Sequence, residues 1–184
     1  MVTDGGNAPV PAGVGPEVPS QVEWAAAATT GRELRTTADD VAGSLEATSA
    51  HLPATLLQEL IDAARDGVPN EACGILAGDR PAAEGGRPSR FEALRNSADS
   101  PYRYLIDPEE QLRVMLAIDE ADEVVWGVFH SHVASGAEPS ATDVGLAHYP
   151  DALYLICSLA GEMPVVRAWS IPDGAVREVP LSVG

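Results

Sequence analysis

Val124-Val-Trp-Gly-Val-Phe-His-Ser-His132 runs into the seven residues Val133-Ala-Ser-Gly-Ala-Glu-Pro139 and then into Ser140-Ala-Thr-Asp143. From Val124 to His130 the chain is almost continuously apolar and strongly β-forming, the composition of a strand covered on both faces. Side chains two apart on a strand share a face, so His130 and His132 at its end can present both imidazoles to one ion. Asp143 lies eleven residues beyond His132, in the first turn of a short helix expected from about Ser140 to His148. The intervening loop is long enough to fold that carboxylate back against the two rings. Two neutral imidazoles and one carboxylate suit a catalytic zinc ion, which takes three protein ligands and keeps a fourth position open. Taken alone, however, His-x-His at a strand end is also compatible with structural histidines, and Ser140 with Asp143 reads equally as a helix-capping pair.

Outward from this block, the pattern alternates helices with strands. Pro53 opens a helix whose Leu56, Leu57, Leu60, Ile61 and Ala64 fall on one face, and Gly67 stops it. Before it, Ser44 to Ala50 reads as a short edge strand. Glu71 to Gly78 is an apolar run bounded by turn residues, hence a strand, and the Pro- and Gly-rich Asp79 to Arg90 reads as a loop. Phe91 to Ala98 is expected to be a strand. Asp107-Pro108 opens a second helix with Leu112, Met115, Leu116 and Ile118 as its apolar positions. Leu153 to Leu159, Val165 to Ile171 and Ala175 to Val179 complete the set, the last two joined by the Pro172-Asp173-Gly174 turn. The expected class is α/β (α+β), a sheet flanked by helices. Trp126 and Trp169 fall inside apolar runs and read as core aromatics, and His51 and His148 read as non-ligands.

The chain has 184 residues, 45% of them apolar, with no apolar run near the length of a membrane span. Its formal charge of −17, from 28 acidic and 11 basic residues, argues against nucleic acid as a partner. All eleven basic residues are arginine, which excludes lysine Schiff-base chemistry. Cys73 and Cys157 are too few for a disulfide scaffold and read as reduced thiols; with no basic and apolar leader at MVTDGG, the expected location is cytoplasmic. Eight of the first twenty residues are Gly or Pro, and residues 1–43 read as a low-complexity, disordered segment ahead of a domain over 44–184.

Glu71 at the head of an apolar strand, then His130-Ser131-His132, seven residues, Ser140, two residues and Asp143, together resemble the JAMM (MPN+) metalloprotease motif. The resemblance covers residues 44–184, through Asn70-Glu-Ala-Cys-Gly-Ile-Leu-Ala-Gly78, Asp107-Pro-Glu-Glu-Gln-Leu112 and the histidine block. It implies a compact, cytidine-deaminase-like mixed sheet. It further implies that His130, His132 and Asp143 bind Zn²⁺, that Glu71 acts as general base and then as proton donor to the leaving amine, and that Ser140 hydrogen-bonds the oxyanion. One departure is Val133, where many members have proline, a change in loop stiffness rather than in ligands.

Within the family the chain is most similar to the bacterial Mec-type group, through Tyr104 to Leu112, Asp119 to Val125 and Asp173-Gly-Ala-Val176. That resemblance implies hydrolysis of the amide between the C-terminal Gly-Gly of a ubiquitin-like sulfur-carrier protein and an attached cysteine. Related members trim carriers to expose Gly-Gly or act as deubiquitinase-like isopeptidases, and metal-free relatives are assembly scaffolds. Scaffolds lack the ligands, and none is missing here. A zinc nucleoside deaminase would need H-x-E and PCxxC, whereas the two cysteines are 84 positions apart; HExxH is also absent. The oligomeric state is left open.

Overall fold

The computed structural model describes residues 49–184. The segment 1–43 and most of the expected strand 44–50 lie outside the described residues. The strand there is β1, Ala50–Leu52, followed by helix α1, Ala54–Gly67. Then come β2 (Cys73–Gly78), β3 (Pro88–Leu94), helix α2 (Pro108–Glu120) and β4 (Val124–His132). The short helix α3 (Ala141–Gly145) precedes β5 (Leu153–Ser158), β6 (Val165–Ser170), β7 (Arg177–Val179) and β8 (Leu181–Val183).

A mixed sheet in the order β3-β2-β4-β5-β6-β7 forms the centre, and β1 pairs with β8 in a small parallel ribbon. Only the β4–β5 contact in the large sheet is parallel, so the chain must cross over between them. That crossover carries the loop after His132 and α3. Helices flank both faces, as the α+β reading expects. Leu56, Leu60 and Ala64 of α1 pack with Leu76, Trp126, Phe129 and Leu155 on one face. Val114 and Ile118 of α2 pack with Ile75, Val128, Tyr154 and Ile156 on the other. Trp126 and Trp169 are both in the core, and each indole N–H donates to a loop carbonyl.

Several boundaries differ from the sequence reading. β3 begins at Pro88, inside the segment read as loop, because an edge strand tolerates proline at its first residue. It ends at Leu94, where Asn96 bends the chain into a loop closed by a bridge to Ile106. On α2 the buried positions are Gln111, Val114 and Ile118, while Leu116 is exposed and Leu112 and Met115 are half-buried. The helix is turned toward Gln111 because Nε2 of that side chain donates to the Tyr149 hydroxyl at 2.8 Å, which lets a polar residue occupy the buried stripe. α3 ends at Gly145, short of the expected His148. In β4 the pairing with β2 slips by one residue, Leu76 facing Gly127 and Ala77 facing Val125. This bulge puts Trp126 and Phe129 on the α1 face and leaves Val128, His130 and His132 on the other. Among the described residues no helix is long and apolar enough to cross a membrane.

Candidate metal centre

His130 and His132 end β4 on the α2 face, and both are buried. Their Nε2 atoms lie 3.2 Å apart. Asp143 comes from the first turn of α3 and is also buried; its Oδ1 is 3.4 Å from His130 Nε2 and its Oδ2 is 3.4 Å from His132 Nε2. One ligand atom from each residue falls within 4.8 Å of the others. The fold achieves this with the crossover loop, whose end is a capping box. The Ser140 N–H donates to Asp143 Oδ2 at 2.7 Å, and the Asp143 N–H donates to Ser140 Oγ at 3.2 Å. Ser140 and Asp143 are therefore a capping pair, and the same geometry aims the carboxylate at the imidazoles.

The donor set fits a divalent cation. His132 Nδ1 is 2.6 Å from the Gly136 carbonyl, which can only accept, so that nitrogen holds the ring proton and Nε2 presents a lone pair. Two imidazole nitrogens at 3.2 Å beside a carboxylate need a proton or a cation between them. Burial pushes the His130 pKa down, keeping that ring neutral and ligand-competent. Burial also pushes His132 down, but the hydrogen bond to Asp143 and the Gly136 carbonyl outweigh it and raise the value. For Asp143, burial acts upward, and the two histidines outweigh it to hold the carboxyl well below the usual range. Tyr104 stacks on His130 with ring centroids 4.4 Å apart, closing the far side of that imidazole.

Glu71 lies just before β2 and not in it. Ladder pairing of Cys73 with His130 sets it opposite His132. Three bonds fix its backbone: the Glu71 N–H donates to the Ser100 carbonyl at 2.9 Å, its own carbonyl accepts from Asn96 Nδ2 at 2.9 Å, and the Ala72 N–H donates to Ser131 Oγ at 2.8 Å. The side chain is 4% exposed, and Oε2 has no partner among the described residues. Burial pushes this carboxyl up to about 7, with Asp143 adding to the rise and His132 opposing it. A buried carboxyl poised near neutrality can both accept and return a proton. Glu71 also lines an open groove of about 630 Å³ between α1 and β3, walled by Glu59, Asp62, Asp66, Phe91 and Ala93.

Sequence reasoning singled out the five residues brought together here. It missed Ser131, Asn96 and Tyr104, which orient them. For Ser131 the signal was available: the middle residue of His-x-His must face away from the imidazoles and toward the neighbouring β2 segment. His51 and His148 stand outside the cluster.

The chain matches the family described as prokaryotic homologs of the JAB domain over residues 53–172. It is 43% identical over 132 residues to a Mycobacterium bovis protein named CysO-cysteine peptidase, covering 71% of this chain and 88% of that one. A desampylase of Haloferax volcanii is 38% identical over 137 residues, covering 72% and 94%. The solution structure of a Desulfitobacterium hafniense protein has a TM-score of 0.64 at 36% identity, covering 73% of this chain and 92% of that one. The chain belongs to the prokaryotic JAB-domain family, the one its histidine and aspartate spacing resembled.

Proposed function

We propose that this hydrolase is a zinc-dependent amidohydrolase that cuts the amide after the C-terminal Gly-Gly of a ubiquitin-like sulfur-carrier protein, releasing cysteine from a carrier–cysteine adduct. The observation that carries the reading is the convergence of His130, His132 and Asp143 beside the unpartnered buried carboxyl of Glu71. His130, His132 and Asp143 would hold the zinc ion, which when bound would supply Lewis acidity for the scissile carbonyl and for the attacking water. Glu71 takes the proton of that water on Oε2 and returns it to the departing amine. Ser140 accepts the Asp143 N–H through a lone pair, which leaves its hydroxyl hydrogen free to donate to the developing oxyanion. We assign the acid-walled groove beside Glu71 to the extended carrier tail, whose partner chemistry is then basic and extended rather than nucleic acid or lipid.

The catalytic domain in this reading spans residues 44–184, and its two buried free thiols fit a reducing cytoplasm and a role in cysteine biosynthesis or related sulfur transfer. Similarity to the CysO-cysteine peptidase favours release of cysteine. Similarity to the desampylase favours a second reading, in which the same site trims a carrier or cuts an isopeptide bond. Incubating the zinc-loaded protein with carriers ending in Gly-Gly-Cys, in longer tails and in isopeptide conjugates, and weighing the products, separates the two. Loss of a single cysteine from the first substrate is expected; failure to cut any of them with zinc bound refutes the substrate assignment.

A further inference from the structure

We propose that Trp169 and Ser158 are positioning residues for the metal centre. They hold the crossover loop so that the Gly136 carbonyl keeps the His132 proton on Nδ1 and leaves Nε2 facing Asp143 and His130. The proposal rests on the metal reading above.

Residues 133–139 form no regular structure and are largely exposed, yet one backbone carbonyl in their middle sets the state of a ligand imidazole. A seven-residue loop with a central glycine would not hold that carbonyl within 2.6 Å of Nδ1 unaided. The two carbonyls flanking Gly136 are each pinned from the sheet. Ser158 Oγ donates to the Ser135 carbonyl at 2.6 Å, and Trp169 Nε1 donates to the Ala137 carbonyl at 2.8 Å. Ser158 is the register partner of His132, and the Leu159 N–H donates to the His132 carbonyl at 2.9 Å, so the loop is tied to the strand beside the one it leaves. Ala137 itself is buried in the α2-face core.

A third contact, Arg167 to Glu138 at 2.5 Å, is solvent-exposed on both sides and contributes little. The bond from Trp169, which is buried, and the bond from Ser158, which is partly buried, are different, because an indole N–H or hydroxyl left unpaired inside the protein is costly, and that cost locks the loop in one geometry. Val133 stands where the family resemblance has proline, and in this chain the stiffness comes from the two neighbouring strands instead. The asymmetry between the imidazoles supports the assignment: His130 Nδ1 is buried with no partner among the described residues, whereas His132 Nδ1 has one built for it.

The test compares two tryptophans. Trp169→Phe keeps a buried ring and removes the donor to Ala137. Trp126→Phe removes the same kind of bond, Nε1 to the Gly86 carbonyl at 3.0 Å, on the opposite face of the sheet. In the metal-free proteins at alkaline pH, nitrogen-15 shifts of the His132 ring should report a single Nδ1–H tautomer for wild type and Trp126→Phe. A mixture is expected for Trp169→Phe and a fuller one for Ser158→Ala with Trp169→Phe. Competition for zinc against a chromophoric chelator should show affinity falling roughly 10-fold in Trp169→Phe and toward roughly 100-fold in the double variant, the range seen when a ligand's supporting partner is lost. Trp126→Phe should stay at the wild-type value. Unchanged tautomer and affinity in Trp169→Phe, or an equal loss in Trp126→Phe, overturns the proposal. Should Trp169→Phe not fold, Ser158→Ala alone carries the same two measurements. Should the wild type bind no zinc, the metal reading falls, and the tautomer comparison still decides the role of the loop.

Discussion

The two faces of the sheet are built to different rules. Beneath α1, Leu52, Leu56, Leu60 and Ala64 meet Leu76, Trp126, Phe129 and Leu155, an apolar layer whose buried indole N–H is satisfied by Gly86. Beneath α2 the same strands turn Tyr154, His130 and His132 toward Gln111, Tyr104, Glu71 and Asp143. One face stores stability through area removed from water; the other gives some of that area to polar groups, of which Glu71 Oε2, Gln111 Oε1 and His130 Nδ1 are buried without a partner among the described residues. The candidate metal centre lies on the second face, where the parallel pair β4–β5 ends and the crossover brings Asp143 back.

Substitutions should separate the faces. Asp143→Asn removes the charge of a proposed ligand and is expected to abolish zinc retention and turnover while the metal-free fold persists, as metal analysis and circular dichroism would show. Leu60→Ala on the α1 face should do the reverse, costing about 2–5 kcal/mol in denaturant unfolding with zinc stoichiometry unchanged below the transition. Equal loss of metal in both variants would dissolve the distinction. A smaller effect is expected at Ser131, which belongs to both faces: its neighbours in sequence are the proposed ligands, and its hydroxyl serves the Ala72 N–H. Ser131→Ala leaves that N–H unpaired, for about 1–3 kcal/mol, and should lower kcat more than zinc affinity because it loosens Glu71 rather than the ligand set.

The smallest contrast is a pH dependence. In the metal-free protein Glu71 titrates near 7 against an ordinary value of 4.5, so the folded chain holds more protons than the unfolded one between those values. Stability through this group is therefore highest below about pH 4.5, falls as pH rises to about 7, and is level above. Glu71→Gln removes the ionisation. Its melting temperature should exceed that of wild type at pH 8, and the advantage should shrink as pH falls through 7 and vanish by pH 4.5. A constant difference across that range would show that Glu71 is not held in its acid form by burial.

The α1 face was legible because its signals are local. Leu56, Leu60 and Ala64 recur at helical spacing, and Gly67 ends the run. Period two likewise placed His130 and His132 on one face, and loop length brought Asp143 within reach. Glu71 was legible only through the family resemblance, since an acid beside a turn has no signature of its own. The α2 face resisted reading because its buried positions are chosen by partners distant in sequence. Gln111 is inside only because Tyr149 is there, and Asn96 matters only because it spans the carbonyls of Glu71 and Arg103. The bulge at Trp126 shifts the alternation of β4 by one residue, which no periodic count anticipates. Strand β8 is three residues long and exists by pairing with β1, a contact across the whole described chain.

The most direct measurement is the mass of a Gly-Gly-Cys carrier after incubation with zinc-loaded wild type and with zinc-loaded Glu71→Gln. The account predicts that wild type releases one cysteine and leaves a Gly-Gly carrier. It also predicts that Glu71→Gln, with the same zinc content, is slower by roughly 10²- to 10⁴-fold, the usual contribution of a general base. An intact carrier with the zinc-loaded wild type, or equal turnover by the two proteins, would contradict it.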